Sequence, residues 1–165
     1  MKLVWKNAWF LLFIALPVIV LDQVTKAWAI ALKDSEPLVV FSSWWQFIYA
    51  ENRGALFGIG NNLSEMMRVV VFVVFSAVIT FGVVYMMLQK DNSKMLVAVY
   101  ALIIGGAIGN LIDRIVRGFV IDFVDWHIAD RYHWATFNVA DAAIVVAMGL
   151  LIIELIRQQI FGKKA

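Results

Sequence analysis

The stretch Val69–Leu88, VVVFVVFSAVITFGVVYMML, contains twenty consecutive residues without a charged side chain. A helix of about 20 apolar residues crosses the hydrocarbon core of a bilayer, so this stretch is long enough to span a membrane. The whole chain is similarly apolar: 63% of its 165 residues are hydrophobic, 16% are charged, and its mean hydropathy is +0.84. An average soluble protein is roughly 45–50% apolar and about 25% charged. The composition therefore argues against a soluble or a disordered chain and predicts an integral membrane protein.

Apolar segments on both sides of this stretch bring the number of predicted membrane-spanning helices to four. The predicted spans cover residues 9–31, 69–88, 95–113 and 138–157 of a single domain, 1–165. The first segment follows Lys2 and Lys6, as in a cleaved signal peptide. We nevertheless expect an uncleaved helix, because charged residues follow its apolar run and the three other spans would remain after cleavage.

The distribution of lysine and arginine predicts the orientation of these helices, because cytoplasmic segments are enriched in both. With both termini on one side, the tails and the short loop 89–94 carry seven Lys or Arg in 22 residues. The long loops 33–68 and 113–138 carry six in 62 residues. Both termini are therefore expected in the cytoplasm. Eight of the 12 acidic residues belong to the outward loops, so polar chemistry is expected at the outer face.

The first outward loop has two structural signals. Pro37–Tyr49, PLVVFSSWWQFIY, is rich in β-branched and aromatic residues, which predicts one or two short strands. Asn61–Arg68 resembles a short interfacial helix that leads into the second span.

Polar residues inside the predicted helices have a structural and a functional interpretation. Asp22 and Lys26 are four residues apart on the first helix, so they can form a structural ion pair or belong to a site. Asn138 and Asp141 share one face of the fourth helix. Asp141 has no basic residue within one turn, so it needs a partner or a proton. Asp122 lies between apolar neighbours in the second outward loop and is a candidate for burial.

The third predicted helix ends in a polar cluster that follows a glycine-rich stretch. Asn110 and Asp113 are three residues apart, and Arg114 follows directly. Asp113 and Arg114 can form an interfacial ion pair or belong to a site. Small residues let helices approach closely, so we interpret three glycines as packing residues: Gly105, Gly106 and Gly109.

Several function classes lack the residues they need. A net charge of +2 gives no reason to expect nucleic acid, and the chain has no cysteine. His127 and His133 do not have zinc-motif spacing, so they are expected to be belt or loop residues and no metal is expected. Nucleophilic serine motifs and phosphate-binding glycine loops are also missing from the sequence. Carboxylates remain as catalytic groups, and two aspartates that share one proton can hydrolyse an amide.

Five motifs distributed along essentially the whole chain resemble the bacterial lipoprotein signal peptidase (signal peptidase II) family. They are Asp22–Lys26 (DQVTK), Asn52–Gly58 (NRGALFG), Gly105–Arg114 (GGAIGNLIDR), Val120–Phe123 (VIDF) and Phe137–Asp141 (FNVAD). Each motif alone is weak, but five in order on a four-helix layout are specific. One departure is Leu56, where the family usually has Ala or Ser.

The resemblance implies an all-α membrane protein with four transmembrane helices, a small extracytoplasmic β-cradle and a short interfacial helix. It implies an aspartyl endopeptidase of the bacterial inner membrane that cleaves diacylglyceryl-modified prolipoproteins just before the lipidated cysteine. No cofactor is expected, and the expected partners are the substrate and membrane lipid, with the enzyme a monomer. The resemblance implies that Asp122 and Asp141 are the catalytic pair. The supporting residues implied are Asn52, Gly54, Asp22, Lys26, Asn110, Asp113, Arg114, Asn138 and Ala140.

Two other functions remain as alternatives. A small proton-coupled carrier or channel would use Asp22, Lys26 and Asp141 as a relay, but it needs polar residues through the full depth of the membrane. A presenilin-like intramembrane protease would need Gly-x-Gly-Asp, and the nearest stretch has Asn110 where the aspartate is required.

Overall fold

The computed structural model describes residues 5–42, 44–54, 64–128 and 132–161. A 3-10 turn, Trp5–Ala8, and a π-helical turn, Leu11–Ala15, lead into the first helix. The helices are α1 (Leu16–Ile30), α2 (Glu65–Met87), α3 (Lys94–Arg117) and α4 (Val139–Phe161). The strands are β1 (Leu38–Phe41), β2 (Trp45–Asn52), β3 (Val120–Ile128) and β4 (Tyr132–His133).

Within the described residues, four helical stretches are long and apolar enough to cross a membrane, as the sequence predicts. They are Trp5–Ile30, Val69–Met87, Lys94–Arg117 and Val139–Phe161. Much of their apolar surface is exposed in the isolated chain; Phe75 and Phe81 of α2, for example, are 61% and 75% exposed. Such a surface is stable only against lipid or another apolar partner.

Helix α3 is the centre of the bundle and contacts the other three helices. Its first turn is capped by Ser93, whose Oγ accepts the Leu96 N–H at 3.1 Å. It ends at Gly118, which has the left-handed conformation that favours glycine, with φ +80°. The α3 glycines allow close packing: a Cβ at Gly105 would lie 2.9 Å from the Ala15 carbonyl oxygen of the first helical segment. The interpretation of these glycines as packing residues is confirmed.

The strands form one antiparallel sheet in the order β1-β2-β3-β4. The prediction of one or two strands in Pro37–Tyr49 is confirmed by β1 and β2. The prediction missed β3, which the sequence analysis left inside an outward loop. Aromatic side chains join the sheet to α1, since the Trp28 ring lies 5.3 Å from Phe47 and 6.0 Å from Phe123.

Two sequence expectations fall partly or wholly outside the described residues. Of the predicted interfacial helix Asn61–Arg68, Glu65–Arg68 form the first turn of α2, and residues 61–63 lie outside the described part. Leu56 also lies outside it.

The contact between α3 and α4 should be sensitive to a single methyl group. A Cβ at Gly106 would lie 2.5 Å from the Ala140 carbonyl oxygen and 2.7 Å from Ile144 Cγ1. We expect Gly106→Ala to lower the thermal midpoint in detergent, since overpacking typically costs about 1–3 kcal/mol. Gly149→Ala is the matched control, because nothing lies within 4 Å of its Cβ position and alanine favours a helix. Equal midpoints for the two variants would contradict the close contact.

Candidate active site

The strand β3 and the first turn of α4 bring two aspartates into one hydrogen-bond network. Asp122 lies on β3 and is 1% exposed, while Asp141 lies in the first turn of α4 and is partly buried. Asn138, at the start of α4 and fully buried, contacts both residues. Its Nδ2 donates to Asp122 Oδ1 at 2.6 Å, and its backbone N–H donates to Asp141 Oδ2 at 3.2 Å. Asn138 therefore links the two carboxylates directly.

The position of Asp141 is determined by the way α4 begins. Asn138 Oδ1 accepts the Asp141 N–H at 3.0 Å, while the Asp141 carboxylate accepts the Asn138 N–H. This reciprocal pair has the pattern of a capping box, in which two unsatisfied N–H groups at a helix start find side-chain acceptors. A helix N-terminus also favours a negative charge. Asp141 thus needs no basic neighbour within one turn, which its sequence surroundings alone left unexplained.

Asn110 of α3 extends the network from the two aspartates to α1. Its Nδ2 donates to Asp141 Oδ1 at 2.7 Å, and its Oδ1 accepts from Lys26 Nζ at 2.9 Å. Because the two ends of one amide are engaged in this way, Asn110 couples the position of Asp141 to the charge of Lys26.

Lys26 is fully buried and compensated by two carboxylates. Its Nζ lies 2.9 Å from Asp22 Oδ2 and 3.0 Å from Asp113 Oδ2, and all three side chains are 0% exposed. The Asp22–Lys26 ion pair expected from the four-residue spacing is therefore present. A buried charge is costly unless it is paired and hydrogen-bonded, so this cluster needs all its members.

Asp113 pairs with other residues than Arg114, the partner that the sequence suggested. Its Oδ1 lies 2.5 Å from Arg117, one turn along α3, and the second oxygen accepts the Ile121 N–H at 3.1 Å. The possible ion pair with Arg114 is not among its contacts in the described residues. Asp113 therefore anchors the start of β3, one residue before Asp122.

Asp22 also connects α1 to α4. Its Oδ1 accepts the Ala140 N–H at 3.0 Å, which satisfies a second backbone donor in the first turn of α4. The approach requires a glycine on α3, because a Cβ at Gly109 would lie 2.6 Å from Asp22 Oδ2. Gln23, which the sequence analysis did not select, donates to Asp22 Oδ2 at 3.1 Å and lies 3.3 Å from Asp113 Oδ1. Two sequence signals point to Gln23: it is a polar residue inside an apolar run, and it belongs to the Asp22–Lys26 motif.

Asn52, at the end of β2, holds the other oxygen of Asp122. Its Nδ2 donates to Asp122 Oδ2 at 2.9 Å, and its Oδ1 accepts the Gly54 N–H at 3.0 Å. Gly54 has φ +82°, and a Cβ there would lie 2.5 Å from the Phe72 ring, so the turn requires glycine.

Arg114 lies at the edge of this network rather than inside it. Its Nη1 donates to the Asn110 carbonyl at 3.3 Å, and its guanidinium lies 5.8 Å from the centre of the Phe72 ring. It shares a groove with Asn52, Arg53 and Phe119. Since Asn52 also contacts Asp122, the groove reaches the aspartate network.

The surroundings of Asp122 raise the pKa of its carboxyl group toward neutral pH. Burial penalises the charged form and raises the pKa of Asp122, and the negative charge of Asp141 raises it further. The hydrogen bonds from Asn52 and Asn138 favour the ionised form and lower the pKa. The result is a pKa of about 6. A carboxyl that changes protonation near neutral pH can serve as a general acid or base.

Comparisons with known sequences agree on one family. The sequence model described as Signal peptidase (SPase) II matches residues 14–157. A lipoprotein signal peptidase of Clostridium tetani is 42% identical over 141 residues, which are 85% of this chain and 88% of the relative. One of Yersinia enterocolitica is 39% identical over 151 residues, 87% of this chain and 84% of the relative. A bacterial membrane enzyme structure obtained by the in meso method covers 99% of this chain and 95% of its own, with 30% identity and a TM-score of 0.77.

Loss of the central charge should destabilise the fold. We expect Lys26→Ala to lower the thermal midpoint in detergent strongly, since removing one partner of a buried ion pair costs about 3–5 kcal/mol. Lys33→Ala is the matched control, because its amine lies 3.7 Å from Glu51 and its side chain is 52% exposed. Exposed pairs contribute little, so the control should unfold like the wild type. Similar midpoints for both variants would show that the buried cluster is not essential to stability.

Proposed function

The chain belongs to the signal peptidase II family, and on this premise we propose that it is an aspartyl endopeptidase acting on diacylglyceryl-modified prolipoproteins. It removes their signal peptides by cutting just before the lipidated cysteine. The observation that carries the proposal is the contact of one residue, Asn138, with both Asp122 and Asp141. Two carboxyl groups in one network, one of them with a raised pKa, are the arrangement that amide hydrolysis by a shared proton requires.

Hydrolysis follows from the different surroundings of the two carboxyl groups. The pair holds one proton, because the negative charge of Asp141 disfavours the ionised form of Asp122. The ionised carboxylate takes a proton from a water molecule, and the water oxygen attacks the scissile carbonyl carbon. The protonated carboxyl polarises the carbonyl oxygen and then supplies a proton to the leaving amine. Asn52, Asn110 and Asn138 keep the carboxyl groups oriented during these steps.

The substrate enters from the membrane. A helical signal peptide shields its amides, so it must unwind at the site, where polar side chains can bind the freed backbone groups. The lipid chains of the substrate remain in the bilayer and help to position the scissile bond through binding energy. Arg114 lies next to Asn52 at the edge of the network and is a suitable donor for the carbonyl groups of the unwound segment.

The proposal includes a position in the cell. Both termini lie in the cytoplasm and the aspartates lie near the outer face of the bacterial inner membrane, with the protein acting as a monomer. The distribution of lysine and arginine supports this orientation. The placement of the aspartates is supported by the fold, because the sheet packs at one end of the bundle, where α1 and α3 end and α4 begins.

Replacement of either aspartate should abolish catalysis without loss of the fold. We expect Asp122→Asn and Asp141→Asn each to lower the cleavage rate of a lipid-modified precursor at least about 10²-fold, since neither amide can transfer the proton. Asp34→Asn is the matched control: Asp34 is exposed, and asparagine tolerates its positive φ of 65°. Circular dichroism and thermal unfolding establish that each variant is folded. Normal turnover by either site variant would eliminate the proposed pair.

The pH dependence should respond to the hydrogen bond from Asn52. With a pKa of about 6, Asp122 loses its proton as the pH rises, so kcat/KM should decrease on the alkaline side. In Asn52→Ser the bond that favours the charged form is lost, so the pKa of Asp122 rises and the decrease moves to higher pH. Serine keeps a hydroxyl acceptor for the Gly54 turn.

The pH profile of kcat/KM from 5 to 9 measures this shift. Glu51→Gln is the control, because its side chain contacts Tyr49 and Arg53 rather than Asp122. Asp122 is not the titrating group if the alkaline decrease in kcat/KM stays at the same pH in Asn52→Ser. The same conclusion follows if the decrease moves equally in Glu51→Gln.

A further inference from the structure

We propose that Asp125, His127 and His133 form a binding site for a divalent transition-metal ion of the zinc type, which connects β4 to β3. The sequence analysis interpreted the two histidines as belt or loop residues. Antiparallel pairing brings them together, since His127 on β3 is directly opposite His133 on β4. Asp125 is two residues before His127, so its side chain is on the same face of the strand. Three potential ligands from two strands thus converge on one face of the sheet.

The distances from Asp125 to the two histidines are close to those around a tetrahedral ion. Asp125 Oδ1 lies 3.0 Å from His133 Nδ1, and Asp125 Oδ2 lies 3.6 Å from His127 Nδ1. All three residues offer ligand atoms that lie within 4.8 Å of one another. Zinc binds nitrogen and carboxylate oxygen at about 2.0–2.2 Å, so a tetrahedral site separates its ligand atoms by about 3.3 Å. The two observed separations fall on either side of this value.

The surroundings orient these ligands as the outer shell of a metal site does. Gln46 Nε2 donates to Asp125 Oδ2 at 2.7 Å and holds the carboxylate in place. His127 Nε2 lies 3.4 Å from the Ser42 carbonyl oxygen. In the tautomer that donates Nε2–H to this carbonyl, Nδ1 presents its lone pair toward Asp125. Ligating histidines commonly donate their second ring nitrogen to a carbonyl in this way.

Burial leaves one side of the cluster accessible. Asp125 and His127 are 2% and 3% exposed, whereas the His133 side chain is 48% exposed. An ion can therefore enter past His133 and keep a water molecule as its fourth ligand. A cavity of about 420 Å³ borders both histidine rings, and Trp126 and Trp134 contribute to its apolar wall.

The ion would stabilise the sheet and would take no part in cleavage of the substrate's peptide bond. Asp125 is three residues from Asp122 on β3, so the two side chains alternate to opposite faces of the strand. The proposed role is to hold β4, which has only two residues, against the strand that carries Asp122. This inference does not depend on the proposed peptidase function.

The test measures zinc binding to the full chain in detergent, purified with a tag that contains no histidine. Equilibrium dialysis should give one zinc per wild-type chain, and zinc should raise the thermal midpoint. The chain contains only two histidines, so ¹⁵N-histidine spectra report on this site alone. Both sets of imidazole signals should shift with zinc.

One ligand variant and two controls test the assignment. His133→Gln removes a direct ligand at an exposed position. Loss of a residue that only supports a ligand weakens metal binding roughly 10–100-fold, so this variant should weaken zinc binding at least as much. Tyr132→Phe, one residue away on β4 and exposed, should bind as the wild type does. Asp141→Asn should also keep its zinc, because it lies outside the cluster. The proposal is overturned if the wild type binds less than a stoichiometric amount at micromolar zinc, if His133→Gln binds normally, or if Asp141→Asn abolishes binding.

Discussion

The buried charge of Lys26 is the constraint on which the polar end of this bundle depends. A lysine amine without water is stable only among compensating groups, and Asp22 and Asp113 lie at 2.9 Å and 3.0 Å from it. Arg117 adds a second positive charge next to Asp113, so two cations offset two anions. Each member is attached to another element: Asp22 to the start of α4 and Asp113 to the start of β3. One ion cluster thereby determines where both catalytic candidates lie.

The two aspartates that remain outside this balance have a different environment. Asp122 is buried without a cation in direct contact among the described residues, and its negative neighbour is Asp141. Amide groups surround the pair instead, and they orient a carboxylate without neutralising it. In the proposed mechanism, a shared proton limits the negative charge of the pair. The charged cluster satisfies the buried lysine, while the uncharged amides leave both aspartates without a direct ion pair among the described residues, as the proposed chemistry requires.

The distribution of polar residues also explains why a peptidase is better supported than a proton-coupled carrier. The network of Lys26, Asn110 and Asp141 occupies one end of the bundle, and apolar residues such as Ala101, Ile104 and Ala147 fill the middle. At the opposite end, Glu154 is engaged by Ser93 and Arg157. A continuous polar path between the two ends is not present among the described residues, whereas a hydrolytic site needs polar groups at one face only.

The resemblance of five short motifs to one family proposed the residues of the candidate site. The amino-acid sequence by itself determined the class of protein, the four apolar helices, the Asp22–Lys26 pair and the packing role of the α3 glycines. These features depend on composition, run length and short spacings, which are local properties of the chain. Only the tertiary structure decided that β3 is a strand, that Asp113 pairs with Lys26 and Arg117, and that His127 lies opposite His133. The physical reason is that a buried group takes its partners from whichever elements pack against it. Asp22 of α1, for example, accepts the N–H of Ala140 in α4, 118 positions along the chain, and no spacing in the sequence encodes such a contact.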